Sequence, residues 1–305
     1  MPSARTLLFI ALIAIGLVFL VRWIRQVRNT RQSETEAGAP AIRPSFLESA
    51  IGFVTNFFDT LGIGSFAPTT SIYKLKRIVP DENIPGTMQI GHTPPVIIQA
   101  FIFIAIIQID MTTLVTMITA AVLGAWLGAG VVARLPRRRT QVGMGIALLV
   151  AATSFVMSIY GFFPGGGTDL GMRGLSLAFA ATGSFVLGSL MTIGVGFYAP
   201  CMIMVSLLGM NPTTAFPIMM GSSAFLMPVA SLRFVRAKKY SLRPAIGLAL
   251  GGIPAVLIAA FIVKSLPLNA MRWLVVAVVL YAAVAMLRSA YREGQTSKIC
   301  GEISG

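Results

Sequence analysis

Leu61-Gly-Ile-Gly-Ser-Phe-Ala-Pro68 returns 132 positions later as Ile193-Gly-Val-Gly-Phe-Tyr-Ala-Pro200. Both stretches interrupt an apolar run, and both read Gly-x-Gly, two larger residues, then Ala-Pro. Glycine permits a tight turn and proline suits the first turn of a helix, so each stretch predicts a helix that breaks and resumes. Within a bilayer such a break leaves amides unpaired, which is tolerated only where protein or a water-filled cavity receives them. The two breaks are therefore the expected substrate site.

The surrounding chain suits a membrane. Its 305 residues are 56% hydrophobic and 11% charged, mean hydropathy is +0.83, and several apolar runs are long enough to span a bilayer. An all-α polytopic membrane protein follows, with lipid as its surroundings. A net charge of +14 would suggest nucleic acid in a soluble chain, but the basic residues lie in short segments between apolar runs. That pattern sets topology, and no nucleic-acid partner is expected. Cys201 and Cys300 form no disulfide framework or Cys-x-x-Cys site. HExxH, P-loop and GxSxG motifs are missing, so neither an enzyme nor a metal or cofactor site is expected. Gly221-Ser-Ser-Ala224 is too common a pattern on membrane helices to signal an intramembrane protease.

In order along the chain, residues 1–32 predict an extra N-terminal transmembrane helix, uncleaved, with a basic flank at Arg22, Arg25, Arg28 and Arg31. A polar linker occupies 33–45. Residues 46–163 form a first repeat, 164–173 an external linker, 174–290 a second repeat and 291–305 a cytoplasmic tail. Each repeat reads as a broken-helix hairpin (46–76 and 175–210) followed by three transmembrane helices: 84–109, 111–133 and 142–163, then 212–232, 245–263 and 274–287. With this topology all of the 24 Lys and Arg except Arg5, Arg173, Lys264 and Arg272 fall at cytoplasmic ends. The N-terminus is then outside and the C-terminus cytoplasmic. Pro80 and Pro85 match Pro212 and Pro217 at the same offset of 132, and Leu135-Pro136 matches Leu266-Pro267 at 131, which argues for a duplication. A hairpin plus an odd number of crossings makes the two repeats inverted, and matching broken helices in inverted repeats point to a transporter's midplane site.

The residues at the two breaks are Gly62, Gly64, Ser65 and Phe66, and Gly194, Gly196, Phe197 and Tyr198. Amides at a restarting helix carry partial positive charge, so two tips facing each other would hold a small anion, with the Ser65 and Tyr198 hydroxyls as further donors. Glycines also serve close helix packing, which is the competing reading. Asp59, with Asn56 a turn earlier, lies just before the first tip and reads as a proton or cation coupling group; its counterpart is Met191. His92, the only histidine, stands near Thr87 and Gln89 and suits a proton relay or a pH-sensitive anion contact, the competing reading being a packed, hydrogen-bonded ring. Ser222 and Ser223 would complete a polar pocket, unless their hydroxyls satisfy their own helix. Cys201 and the methionines at 202, 204, 210, 219 and 220 read as packing.

Four features together resemble the TauE/SafE sulfite exporter family. They are Gly62-Ile-Gly-Ser-Phe-Ala-Pro68, the loop with Pro80 and Pro85, the span Leu123-Gly-Ala-Trp-Leu-Gly-Ala-Gly130 that leads to Leu135-Pro136, and the second copy at 194–200. The resemblance covers about residues 46–287. It implies a bacterial inner-membrane permease of two homologous halves that moves sulfite, organosulfonates or related small sulfur-containing anions. Where the family continues with a third glycine, this chain has Ser65 and Phe197, so its tips are bulkier. The expected function is secondary transport by alternating access, coupled to a proton or driven by the anion's own gradient, with no ATP site. A transporter of an unrelated small organic anion and a membrane scaffold or assembly protein are the alternatives. Exact substrate, direction, coupling ion and oligomeric state stay open.

Overall fold

Apolar residues face outward and polar ones inward along Phe46–Thr60, helix α2. Phe46, Leu47, Val54 and Phe58 are exposed, while Glu48, Thr55, Asn56, Asp59 and Thr60 are buried. This is the reverse of a soluble helix and suits lipid outside with a polar interior. The computed structural model describes residues 3–36, 43–62, 64–80, 83–132, 167–191 and 197–265, with isolated positions 280, 284, 287, 288 and 291. Those residues are overwhelmingly helical and contain no strand. The expected span 142–163 lies outside them, as does most of 274–287.

Helix α1 is Ala4–Glu36, α3 Phe66–Lys76, α4 Ile84–Ile106 and α5 Met111–Val132. After the intervening segment come α6 Gly174–Met191, α7 Tyr198–Leu207, a 3-10 turn at Pro212–Thr214, α8 Ala215–Ala237 and α9 Leu242–Ser265. Among the described residues five helices are long and apolar enough to cross a membrane: α1, α4, α6, α8 and α9. At 1.5 Å per residue α2 and α3 reach only about 22 and 16 Å, short of a full crossing. Helix α1 runs past the expected start of the linker at 33, because Gln, Arg and Glu beyond the apolar run are good helix formers.

Helix α9 runs along α2 and α4, α5 along α6, and α4 along α8; α1 lies mainly on α8. Glycines set the closest approaches. A Cβ at Gly251 of α9 would fall 1.9 Å from the Ser49 carbonyl oxygen of α2, and one at Gly188 of α6 would fall 2.0 Å from the Ala121 carbonyl oxygen of α5. The α1 side chains Leu8, Leu12, Phe19 and Trp23 point inward, whereas Leu7, Ile10, Ile13, Leu17 and Val21 face out. With Phe179 on α6, Trp126 on α5 and Phe261 on α9, they make an apolar outer surface of the kind lipid covers.

The start of α2 and the end of α3 lie at one end of the bundle, and the start of α6 and the end of α7 at the other. The start of α2 meets the start of α9 through the ion pair Glu48–Arg243, 3.3 Å. The segment after α3 packs with Ile51, Met88 and Leu248, so it returns to that same end. The other hairpin begins after Arg173 and finishes where Asn211 N–H donates to the Asp169 carbonyl at 2.9 Å. That end carries an open cleft of about 590 Å³ lined by Arg5, Gln108, Asp110, Asp169 and Arg173.

Candidate anion site

Helix α2 stops because Leu61 and Gly62 turn the chain back onto it: Leu61 N–H bonds the Phe58 carbonyl and Gly62 N–H the Asp59 carbonyl. Gly62 and Gly64 have φ of +92° and +82°, a region that L side chains rarely occupy. The turn requires glycine at both places. Helix α3 then starts at Phe66 with Pro68 in its first turn, where a missing N–H costs nothing. A Cβ on Gly62 would lie 2.9 Å from the Met202 methyl of α7, so this turn touches the second hairpin directly. One on Gly64 would meet nothing within 4 Å among the described residues.

Asp59 organises what lies there. It is 2% exposed, in the last turn of α2. Its Oδ1 accepts the Ser65 N–H at 2.5 Å, its Oδ2 accepts the Gln99 side-chain amide at 3.0 Å, and the Tyr198 hydroxyl lies beside the same carboxylate. The Ser65 hydroxyl lies beside it without an aligned hydrogen bond. Ser223 on α8 stands beside Tyr198, and its hydroxyl donates to the Met191 sulfur at 3.8 Å. No Lys or Arg pairs with Asp59 among the described residues. A buried carboxylate held only by neutral donors is costly, so the surrounding structure must fix it there.

A second branch leads to His92. Gln99 also donates to the Thr60 hydroxyl at 2.8 Å. Ser65 is linked through its carbonyl to the Thr69 hydroxyl at 2.7 Å, Thr69 meets His92 Nε2 at 3.1 Å, and His92 Nδ1 meets Asn56 Oδ1 at 3.1 Å. The Phe66 ring covers His92, with centroids 5.9 Å apart. Helix α4 carries Pro94 and Pro95 just beyond His92; neither has an N–H to give to the carbonyls of Ile90 and Gly91, so the ladder is open beside the site.

The structure thus gathers Asn56, Asp59, Gly62, Ser65, Phe66, His92, Tyr198 and Ser223 around one buried polar network. Phe197 is buried at the start of α7. Gly194 and Gly196 lie outside the described residues. Thr87 stands apart: its hydroxyl bonds the Asn83 carbonyl and accepts the Ser241 N–H at 2.9 Å, which ties α4 to the turn before α9. Gln89 and Ser222 are buried without a link to Asp59, and the Ser222 hydroxyl and Gln89 Oε1 have no hydrogen-bond partner. The expectation of free amides fails at Ser65, whose N–H is already taken by Asp59. Gln99, Thr60 and Thr69 escaped the sequence reading, although Gln99, two turns after His92 in an apolar span, was a signal that could have been read.

A family model described as "Sulfite exporter TauE/SafE" matches residues 2–155 and 175–302. The chain belongs to this family. The match extends the motif-based range at both ends and takes in α1, which the sequence reading had placed outside the resemblance. No curated protein and no solved structure matches this TauE/SafE chain. Family membership makes it a multi-pass membrane protein of a transporter family, and the five apolar helices agree with that.

Proposed function

We propose that the protein is a secondary transporter that moves small sulfur-containing anions, such as sulfite or organosulfonates, across the bacterial inner membrane by alternating access. The carrying observation is the approach of the two hairpins, where Tyr198 of one stands beside Asp59 of the other inside a buried polar network and Gly62 meets Met202. Hairpins opening toward opposite ends, and the reciprocal packing of α2 on α9 and α6 on α5, support a reading of the halves as inverted repeats around that meeting point. Gathering of Lys238, Lys239 and Arg243 at the end opposite Arg5 and Arg173 supports a cytoplasmic face at α2, α4 and α9 starts, with the N-terminus outside. The Ser65 amide, Gln99, Tyr198 and Ser223 supply donors without cations, suited to a weakly held anion that must also be released.

Flux of radiolabelled sulfite, thiosulfate, sulfoacetate and taurine into proteoliposomes, with and without a pH gradient, tests the reading. At least one anion moves, and Tyr198→Phe lowers its flux by about tenfold or more, as loss of one buried donor to a charged group does. If none of the four moves, sulfur-anion transport is overturned.

A further inference from the structure

The Asp59 carboxylate sits where the transport reading places the substrate. It lies beyond the N-terminus of α3, accepts the Ser65 amide that precedes that helix and the Gln99 side-chain amide of α4, and has the Tyr198 hydroxyl of α7 beside it. A sulfonate or hydrogensulfite makes the same demand: one negative charge, several oxygen acceptors, and N–H and O–H donors converging from different directions. Gly64, beside these donors, has nothing within 4 Å of its Cβ position among the described residues.

We propose that Asp59 is a tethered competitor for the anion site, so that an anion enters only as Asp59 takes up a proton. This rests on the transport reading above and specifies its coupling. In the empty site the ionised carboxylate satisfies the donors. When a proton from the aqueous phase converts it to the neutral acid, one acceptor oxygen becomes a donor, and the Ser65 N–H and Tyr198 O–H are released to the incoming anion. The buried network then carries one negative charge before and after binding, which avoids placing two anions side by side where no cation compensates. When the anion leaves, the proton leaves with it and the carboxylate recaptures the amide. Anion and proton therefore travel in the same direction, one for one, and a monovalent anion moves without net charge.

The groups facing Asp59 support this assignment. Around it stand Ser65 on the approach to α3, Gln99 on α4 and Tyr198 on α7, with Ser223 of α8 behind the tyrosine. His92, the other titratable group of the network, reaches Asp59 only through Thr69 and Ser65. Residues 192–196, Thr-Ile-Gly-Val-Gly, carry no ionisable side chain.

The test uses the full-length protein in nanodiscs and two anions that do not titrate near neutral pH, methanesulfonate and thiosulfate, alongside sulfite. Calorimetry in buffers of different ionisation enthalpy counts protons taken up per anion bound, and infrared difference spectra report a carboxylate becoming a carboxylic acid. Wild type takes up one proton per methanesulfonate, shows the carboxylic-acid band, and loses affinity by about tenfold for each pH unit above neutral. Asp59→Asn binds the same anion with no proton uptake, no band and a flat pH dependence. Binding by wild type without proton uptake, or an Asp59→Asn variant with the wild-type band, overturns the competition and leaves transport standing. If Asp59→Asn does not fold, the wild-type proton count and band decide alone. If neither protein binds any of the three anions, the transport reading and the competition fall together. Binding by Asp59→Asn alone, with wild type silent at neutral pH and responsive in acid, supports the competition.

Discussion

Asn56 gives its side-chain amide to the Gly52 carbonyl at 2.7 Å, which turns Asn56 Oδ1 toward His92 Nδ1. Reversing the amide would set oxygen against oxygen, so Nδ1 carries a hydrogen. On the far side of the ring, Nε2 shares the Thr69 hydroxyl with the Ser65 carbonyl, and one proton serves two acceptors. Thr69→Val keeps the shape and removes both bonds, which costs about 1 kcal/mol. The expected result is a lower unfolding midpoint for purified protein, restored by Thr69→Ser; an unchanged midpoint for Thr69→Val would show that the hydroxyl carries neither bond.

Among the elements, the close pairs α2–α9 and α5–α6 depend on backbone approaching backbone. Gly251 and Gly188 each face a carbonyl oxygen of the neighbouring helix at a distance no Cβ can occupy. Gly251→Ala and Gly188→Ala must push the helices apart and cost about 1–3 kcal/mol each, read as a fall in thermal midpoint. Gly16→Ala on α1 is the control. Its Cβ would sit 3.4 Å from the Ile97 side chain, an ordinary contact, so the better helix propensity of alanine leaves stability unchanged or raised. Equal losses at all three positions would mean that glycine acts through the backbone alone rather than through helix packing. The prolines Pro94, Pro95, Pro228 and Pro254 lie inside α4, α8 and α9, where neighbouring helices and polar side chains make such breaks tolerable.

On the scale of the whole molecule, the proposed orientation is open to direct measurement. In a chain lacking Cys201 and Cys300, Ser3→Cys should react with a membrane-impermeant maleimide in intact spheroplasts, and Lys238→Cys only after permeabilisation. The reverse pattern would invert the topology, and with it the face at which each hairpin opens. Both positions are suited to labelling, since each is exposed at a helix end.

Membrane class, most helix limits and the placing of the first break could be read from the sequence because they rest on local physics. Apolar runs span lipid, Gly-x-Gly at positive φ ends a helix, and proline is harmless in a first turn. Helices α4, α5, α8 and α9 lie within a few residues of the apolar runs that announced them. The extent of α1 was missed, since charged residues outside the bilayer say little about where a helix ends. The tertiary structure alone decided the partners. Thr87 and His92 sit five positions apart on one helix, yet one ties down a turn near α9 and the other joins the buried network. That Asp59 occupies the Ser65 amide, that Gln99 reaches it from α4, and that Tyr198 arrives from the other half all depend on chain distant in sequence. Hydrogen bonds between helices are settled by packing geometry, which no local pattern of residues encodes.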